Sequence, residues 1–196
     1  MDILNRVKNI ILSPKTEWDV VAVEPADVQS LYKDYILILA AIPPLATFLG
    51  AWIFGYSMGP MGTIRIGFFS GLIAAIIQYV FSLVSVFISG MVISYLAPRF
   101  GGEKSDIQGL KVAAYSYAPM YVAGIFALIP GLRALSILGL YSLYVLYVGL
   151  PKLMRSSAEK SLVYVIAIVV VTIVLTLLIG ILTMAISPVG HMGGMF

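Results

Sequence analysis

The chain has 196 residues, of which 61% are hydrophobic and 11% charged, and its net charge is +3. A soluble domain carries about 45–50% apolar and about 25% charged residues, so this composition excludes an ordinary soluble fold and calls for lipid as a solvent. The absence of cysteine excludes disulfides, thiolate chemistry and cysteine metal sites, and the small net charge gives no reason to expect a nucleic-acid partner.

Residues 1–34 are polar and amphipathic. In "MDILNRVKNIIL", Ile3, Leu4, Val7, Ile10 and Ile11 recur at helical spacing, while Asp2, Arg6 and Lys8 fall elsewhere. Ser13 then suits an N-cap, with Pro14 at the first helical position of a second helix. Trp18 suits an anchor at headgroup level. Two readings stand: short helices lying on the membrane surface, or a helical lid packed on the rest of the chain. Charges run through the segment without a continuous apolar core, so no cleavable leader is expected.

Five apolar stretches follow, at 35–58, 66–97, 112–129, 134–150 and 162–187. A crossing needs about 20 apolar residues, which the first, second and fifth provide. The second would be roughly 48 Å long as a helix and must tilt or project. The third and fourth are near the lower limit and are separated by "IPGLRA". They read as a tight hairpin that barely crosses or as a re-entrant pair.

The basic residues predict the orientation. Ten of the twelve Lys and Arg fall before the first stretch, between the second and third, or between the fourth and fifth. Only Arg65 and Arg133 fall on the other side. This is a positive-inside pattern with a cytoplasmic N-terminus and the tail 188–196 outside. The predicted class is thus an all-α polytopic membrane protein. It has an amphipathic N-terminal segment at 1–34 and a five-helix membrane domain at 35–187.

Within the five stretches there is no Asp, Glu, Lys or Arg. Proton-coupled carriers and voltage sensors keep such groups inside the bundle, so their absence argues against those classes. Gln78 is the most polar side chain in a stretch and is expected to bond between helices. Serine and threonine are plentiful, but a nucleophile needs a base to activate it and the sole histidine is in the tail; no enzyme activity and no cofactor are expected. His191 with Met192 and Met195 is the one set that offers soft-metal donors, and it reads instead as part of a disordered tail.

Four further features are candidates for structure or binding. Pro43 and Pro44 must kink or break the first helix. Gly67, Gly71 and Ala75 form a small-residue face that allows close helix approach, either in a homodimer or within one chain. Tyr115, Tyr117 and Tyr121 surround Pro119 in the third stretch. Tyr117 and Tyr121, four apart, share a face, and their hydroxyls suit carbonyls freed by a bend at Pro119. Tyr141, Tyr144 and Tyr147 recur every three residues, as an aromatic cage or as packing and interface anchors.

The segment "APRFGGEKSDIQGLKVAAYSYAPMYVAGIFALIPG", with "LYVLYVGLPK" and "SAEKSLVYV" after it, resembles the Yip family of Ypt/Rab-interacting membrane proteins. The matching features are the Gly101-Gly102 turn, "AAYSYAP" and the Pro-Gly hairpin. "AAIPPLATFLGAW" is similar to a bacterial inner-membrane branch, the YohC-like proteins. The resemblance implies five spans and a cytoplasmic N-terminus. It also implies that the Tyr-x-Tyr-Ala-Pro segment is a structural hallmark with no catalytic role. Eukaryotic members resemble Rab adaptors, a role tied to a "DLYGP"-like motif; here Asp34-Tyr35 is followed by Ile36-Leu37. Two function classes follow. One is a scaffold or adaptor that binds a protein or organises lipid, and the other is a transporter or channel for a small solute or ion.

Overall fold

A computed structural model describes residues 2–57, 63–64 and 67–186. Among these the regular structure is helical apart from one short pairing. There β1 (Tyr56–Ser57) runs antiparallel to β2 (Thr63–Ile64), with Tyr56 opposite Ile64. His191, Met192 and Met195 lie outside the described residues.

The N-terminal segment folds as α1 (Ile3–Leu12) and α2 (Pro14–Val23). Asp2 caps α1, its carboxylate accepting from the Leu4 N–H at 3.1 Å, which satisfies one of the donors left open at a helix start. Ser13 precedes α2 and Pro14 opens it, but the expected side-chain cap is not made. The Ser13 N–H is already used to close α1 on the Asn9 carbonyl at 2.8 Å, and this holds Ser13 away from the extended cap conformation (φ −140°, ψ 55°).

The first membrane-length helix starts earlier than hydropathy alone suggests. It opens with α3 (Val28–Leu31), where Asp27 and Ser30 form a reciprocal capping box at 2.7 and 3.1 Å. A π-helical turn (Tyr32–Ile36) and α4 (Leu37–Leu39) continue it. Lys33 and Asp34 are tolerated because both are exposed. The helix breaks at Ala40–Ala41 and resumes as α5 (Ile42–Ile53). Pro43 and Pro44 are the cause: neither can donate to the preceding turn, so the Leu39 and Ala40 carbonyls are released there.

The long second helix, α6 (Phe68–Leu96), has 29 residues and spans about 44 Å. A 3-10 turn (Ala97–Phe100) ends it. The third stretch is interrupted: α7 (Asp106–Ser116), α8 (Ala118–Ala123) and a 3-10 segment (Gly124–Leu128) follow one another. The break falls at Tyr117 (φ −77°, ψ −8°), two residues before Pro119. A 3-10 segment (Pro130–Leu140) then leads into α9 (Tyr141–Met154). A 3-10 helix rises about 2.0 Å per residue against 1.5 Å for an α-helix. The fourth stretch therefore reaches further than its residue count as an α-helix would give. A 3-10 turn (Ala158–Lys160) precedes α10 (Ser161–Ile186).

Four helical stretches among the described residues are long and apolar enough to cross a membrane: Val28–Ile53, Phe68–Phe100, Pro130–Met154 and Ala158–Leu175. The interrupted third stretch is not one of them. It packs between the others. α7 lies along α6 and α9, and the Gly124–Leu128 segment lies against α5. Gly124 is required there, since a Cβ would sit 2.6 Å from the Pro43 ring.

Tyrosine hydroxyls tie the helices together through backbone carbonyls. Tyr32 donates to Leu83 at 2.8 Å, Tyr79 to Leu37 at 2.9 Å, and the buried Tyr164 to Ile93. In a lipid-facing bundle apolar contact supplies little drive between helices, so such bonds carry more of the specificity.

Candidate functional site

The N-terminal helices pack on the bundle, and the groups that hold them there include the buried charged side chains among the described residues, Arg6, Glu17 and Lys111. Arg6 is only 2% exposed. Its guanidinium donates to Glu17 at 2.5 Å and to Glu24, and its Cζ lies 5.4 Å from the centroid of the Tyr115 ring, within cation–π range. Tyr115 in turn meets Tyr35 edge-on at 4.7 Å and Trp18 at 6.2 Å. The sequence reading placed Arg6 off the apolar face of α1. Its register shows why it is buried: it follows Ile3 by three residues and precedes Ile10 by four, which puts all three on one side of the helix.

Trp18 is fully buried, so it is not an anchor among headgroups. Its indole N–H donates to the Val145 carbonyl at 3.0 Å, and its ring lies directly over Gly149 of α9. A Cβ on Gly149 would fall 2.6 Å from the indole, so only glycine admits it.

Lys111, counted in the sequence as a loop cation, lies on α7 and is 3% exposed. Its ammonium donates to the Val21 carbonyl at 3.0 Å and to that of Glu24. It thereby fills acceptors at the C-terminal end of α2, where the helix dipole favours a cation. Burial pushes its pKa below the ordinary 10.5; the Glu24 carboxylate opposes that shift, and Arg6 adds to it. Two exposed links complete the attachment: Lys152 to Asp19 at 2.5 Å, and the Tyr141 hydroxyl to the Ile11 carbonyl at 3.0 Å.

Under the lid, a chamber of about 140 Å³ is lined by Arg6, Glu24, Asp34, Tyr35 and Tyr115, among others. The buried Tyr35 hydroxyl and Arg6 Nε have no protein partner among the described residues. The chamber has room for a few waters or one small polar group, each water taking about 30 Å³. It is smaller than the roughly 300–1,000 Å³ of drug-sized ligand sites. Among the described residues no cluster of His, Cys, Asp and Glu could hold a metal ion.

The other candidate residues fall into separate places. Tyr117 and Tyr121 do share a face, with ring centroids 6.0 Å apart. Their hydroxyls do not go to carbonyls freed by the bend: they meet the Ser89 hydroxyl at 2.8 Å and that of Ser82 at 3.3 Å on α6. The serine hydroxyls satisfy them side to side, so Pro119 acts on the backbone alone. Pro44 is buried beside the break. Gln78 is exposed on α6, and the expected bond between helices is not made among the described residues. Tyr144 is exposed and lines an apolar groove with Tyr147, Leu162 and Ile166, without a cage around it.

Gly71 and Ala75 are buried within a single chain, whereas Gly67 is exposed at the start of α6. Gly71→Leu is therefore expected to lower the melting temperature at unchanged mass, at a cost of about 1–3 kcal/mol. Light scattering corrected for detergent and a melting curve check this; a folded protein of halved mass would assign the face to a dimer.

Long apolar helices, an all-helical core cross-linked by tyrosines and a charged cluster beneath the N-terminal helices define a polytopic helical membrane protein. A Yip1 domain matches residues 8–180, and the chain belongs to that family. Two curated relatives, both named inner membrane protein YohC, are from Escherichia coli strains K12 and O6:H1 (CFT073). Each is 26% identical over 163 residues, covering 81% of this chain and 84% of the relative. No solved structure matches.

Proposed function

We propose that the chain is a non-enzymatic scaffold or adaptor of the cytoplasmic membrane, with its N-terminal helices forming an amphipathic cytoplasmic lid that docks a partner protein. In this reading the interrupted third stretch also crosses, giving five spans. The cytoplasmic segment comprises residues 1–34, though its last turns already belong to the first helix. The membrane domain runs to 187, and the tail 188–196 lies outside.

One observation carries the reading. The inner face of the lid is used up by Arg6, Ile10, Trp18 and Val21, yet its outer face still exposes large apolar side chains. Leu4 is 74% exposed and Val23 83%, with Leu12 and Val20 also more than half exposed. Large apolar side chains left exposed on a polar segment suit a contact site. The YohC relatives carry the name of an inner membrane protein, which supports the location.

A second reading is a carrier or channel for a small polar solute. The chamber at Arg6 and Tyr35 and the helix breaks at Ala40–Ala41 and Tyr117 support it, since broken helices can expose backbone groups to a solute. Native co-purification and liposome flux separate the two. The adaptor reading expects a protein that co-purifies with the wild type and is lost with Leu4→Asp/Val23→Asp, and no flux above empty liposomes. Saturable flux abolished by Tyr35→Phe would establish the second reading instead.

A further inference from the structure

A groove of about 540 Å³ runs along the outside of the bundle between α6 and α10. Met91, Val92, Leu96 and Val171 make its walls apolar, and Arg99 and Lys104 stand at its polar end. Its size falls in the range of ligand sites, roughly 300–1,000 Å³. Tyr95, 65% exposed, lies at the same end, as expected of a ring at headgroup depth.

The charges at this end are unbalanced in a specific way. Glu103 is already paired with Arg155 at 3.1 Å. Asp106, which also lines the groove, accepts from the Ser94 hydroxyl at 2.6 Å and keeps its charge, so two cations stand against one carboxylate there. Arg99 and Lys104 are exposed and take part in none of the ion pairs among the described residues. The turn between them is held at Gly102 and Glu103. The Gly102 N–H donates to the Ala97 carbonyl at 2.9 Å, and the Glu103 N–H to the Met154 carbonyl at 2.8 Å. Two exposed cations outside the ion pairs, beside an apolar groove on a lipid-facing surface, match one ligand chemistry: a phosphate head with a hydrocarbon tail.

We propose that this groove binds an anionic phospholipid, with Arg99 and Lys104 on the headgroup phosphate and an acyl chain along Val92 and Val171. Arg99 presents a planar fork suited to phosphate oxygens and Lys104 a point charge. Basic pockets between membrane helices are a recognised way to select anionic headgroups. The inference needs the bilayer setting but not the adaptor reading.

The test is native mass spectrometry of the full chain in detergent, titrated with phosphatidylglycerol or with phosphatidylcholine of the same acyl chains. The wild type should retain phosphatidylglycerol about tenfold or more over phosphatidylcholine, the order expected from two basic groups at an anionic lipid. Arg99→Gln/Lys104→Gln should bring the two lipids level, while Lys15→Gln/Lys33→Gln, an equal loss of charge elsewhere, should not. Val92→Trp should reduce retention of both lipids by filling the groove with the cations in place. Equal retention of the two lipids by the wild type would overturn the proposal. So would an unchanged preference in Arg99→Gln/Lys104→Gln, or displacement of the bound lipid by inorganic phosphate at equal concentration.

Discussion

Trp18→Ala is expected to release the N-terminal lid, at a cost of about 3–5 kcal/mol. The indole is fully buried, closes over Gly149 and donates to Val145, so its removal leaves a cavity between α2 and α9 that the backbone contact at Gly149 cannot fill. The exposed Lys152–Asp19 pair cannot compensate, since such pairs contribute at most about 1 kcal/mol. Two readouts check this. The melting temperature in detergent should fall by several degrees or more, because 1 kcal/mol corresponds to roughly 2–4 °C at this chain length. Trypsin should also gain access to Arg6, which is buried in the wild type. Trp18→Phe, which keeps most of the packing and loses one hydrogen bond, should cost only about 1 kcal/mol. An alanine variant as stable and as resistant as the wild type would show that the lid is not held at this point.

The second large effect is expected from the ion pairs beneath it. Arg6→Met removes the cation and leaves Glu17 buried without a partner. Breaking a buried pair from one side costs about 3–5 kcal/mol, because the remaining charge cannot regain its hydration. Glu24 suffers less, since its side chain is 35% exposed and water can reach it. Adding Glu17→Gln to Arg6→Met should therefore recover much of the loss, and Glu17→Gln alone should be milder than Arg6→Met. A double-mutant cycle on chemical or thermal unfolding gives the coupling directly. Additive losses in the double variant would mean that the two side chains do not depend on each other.

These two residues also mark how far the sequence could be read. The apolar stretches were legible because hydropathy depends on composition alone, and α6 and α10 fall within two residues of their expected bounds. Helix starts set by caps were harder to see: Asp27 and Ser30 begin the first long helix while the sequence is still polar. Breaks at prolines were legible as breaks. Which side chains would meet across them was not, and Tyr117 and Tyr121 found serines on α6 in place of the carbonyls expected.

The polar site was the least legible part. Its members, Arg6, Glu17, Glu24, Tyr35, Lys111 and Tyr115, come from four separate elements, and no local spacing joins them. A partial signal existed in the register of Arg6 with Ile3 and Ile10 and in the small residue at Gly149, which could only make room for something large. Positive charges in a membrane protein read as markers of side, and that reading gives no sign that one of them, Lys111, caps a helix end inside the fold.

Single cysteines offer the most direct test of the central claim, that a cytoplasmic lid covers a domain crossing the membrane five times. The chain has no cysteine of its own, so each introduced thiol reports alone. Leu12 and Glu159 are exposed on the lid and before α10, and a Cβ at Gly131 meets open space between the third and fourth stretches. With an impermeant maleimide on intact cells, Gly131→Cys is expected to label, while Leu12→Cys and Glu159→Cys label only after the membrane is opened. Labelling of Glu159→Cys in intact cells, or none at Gly131→Cys, would contradict the orientation or the third crossing.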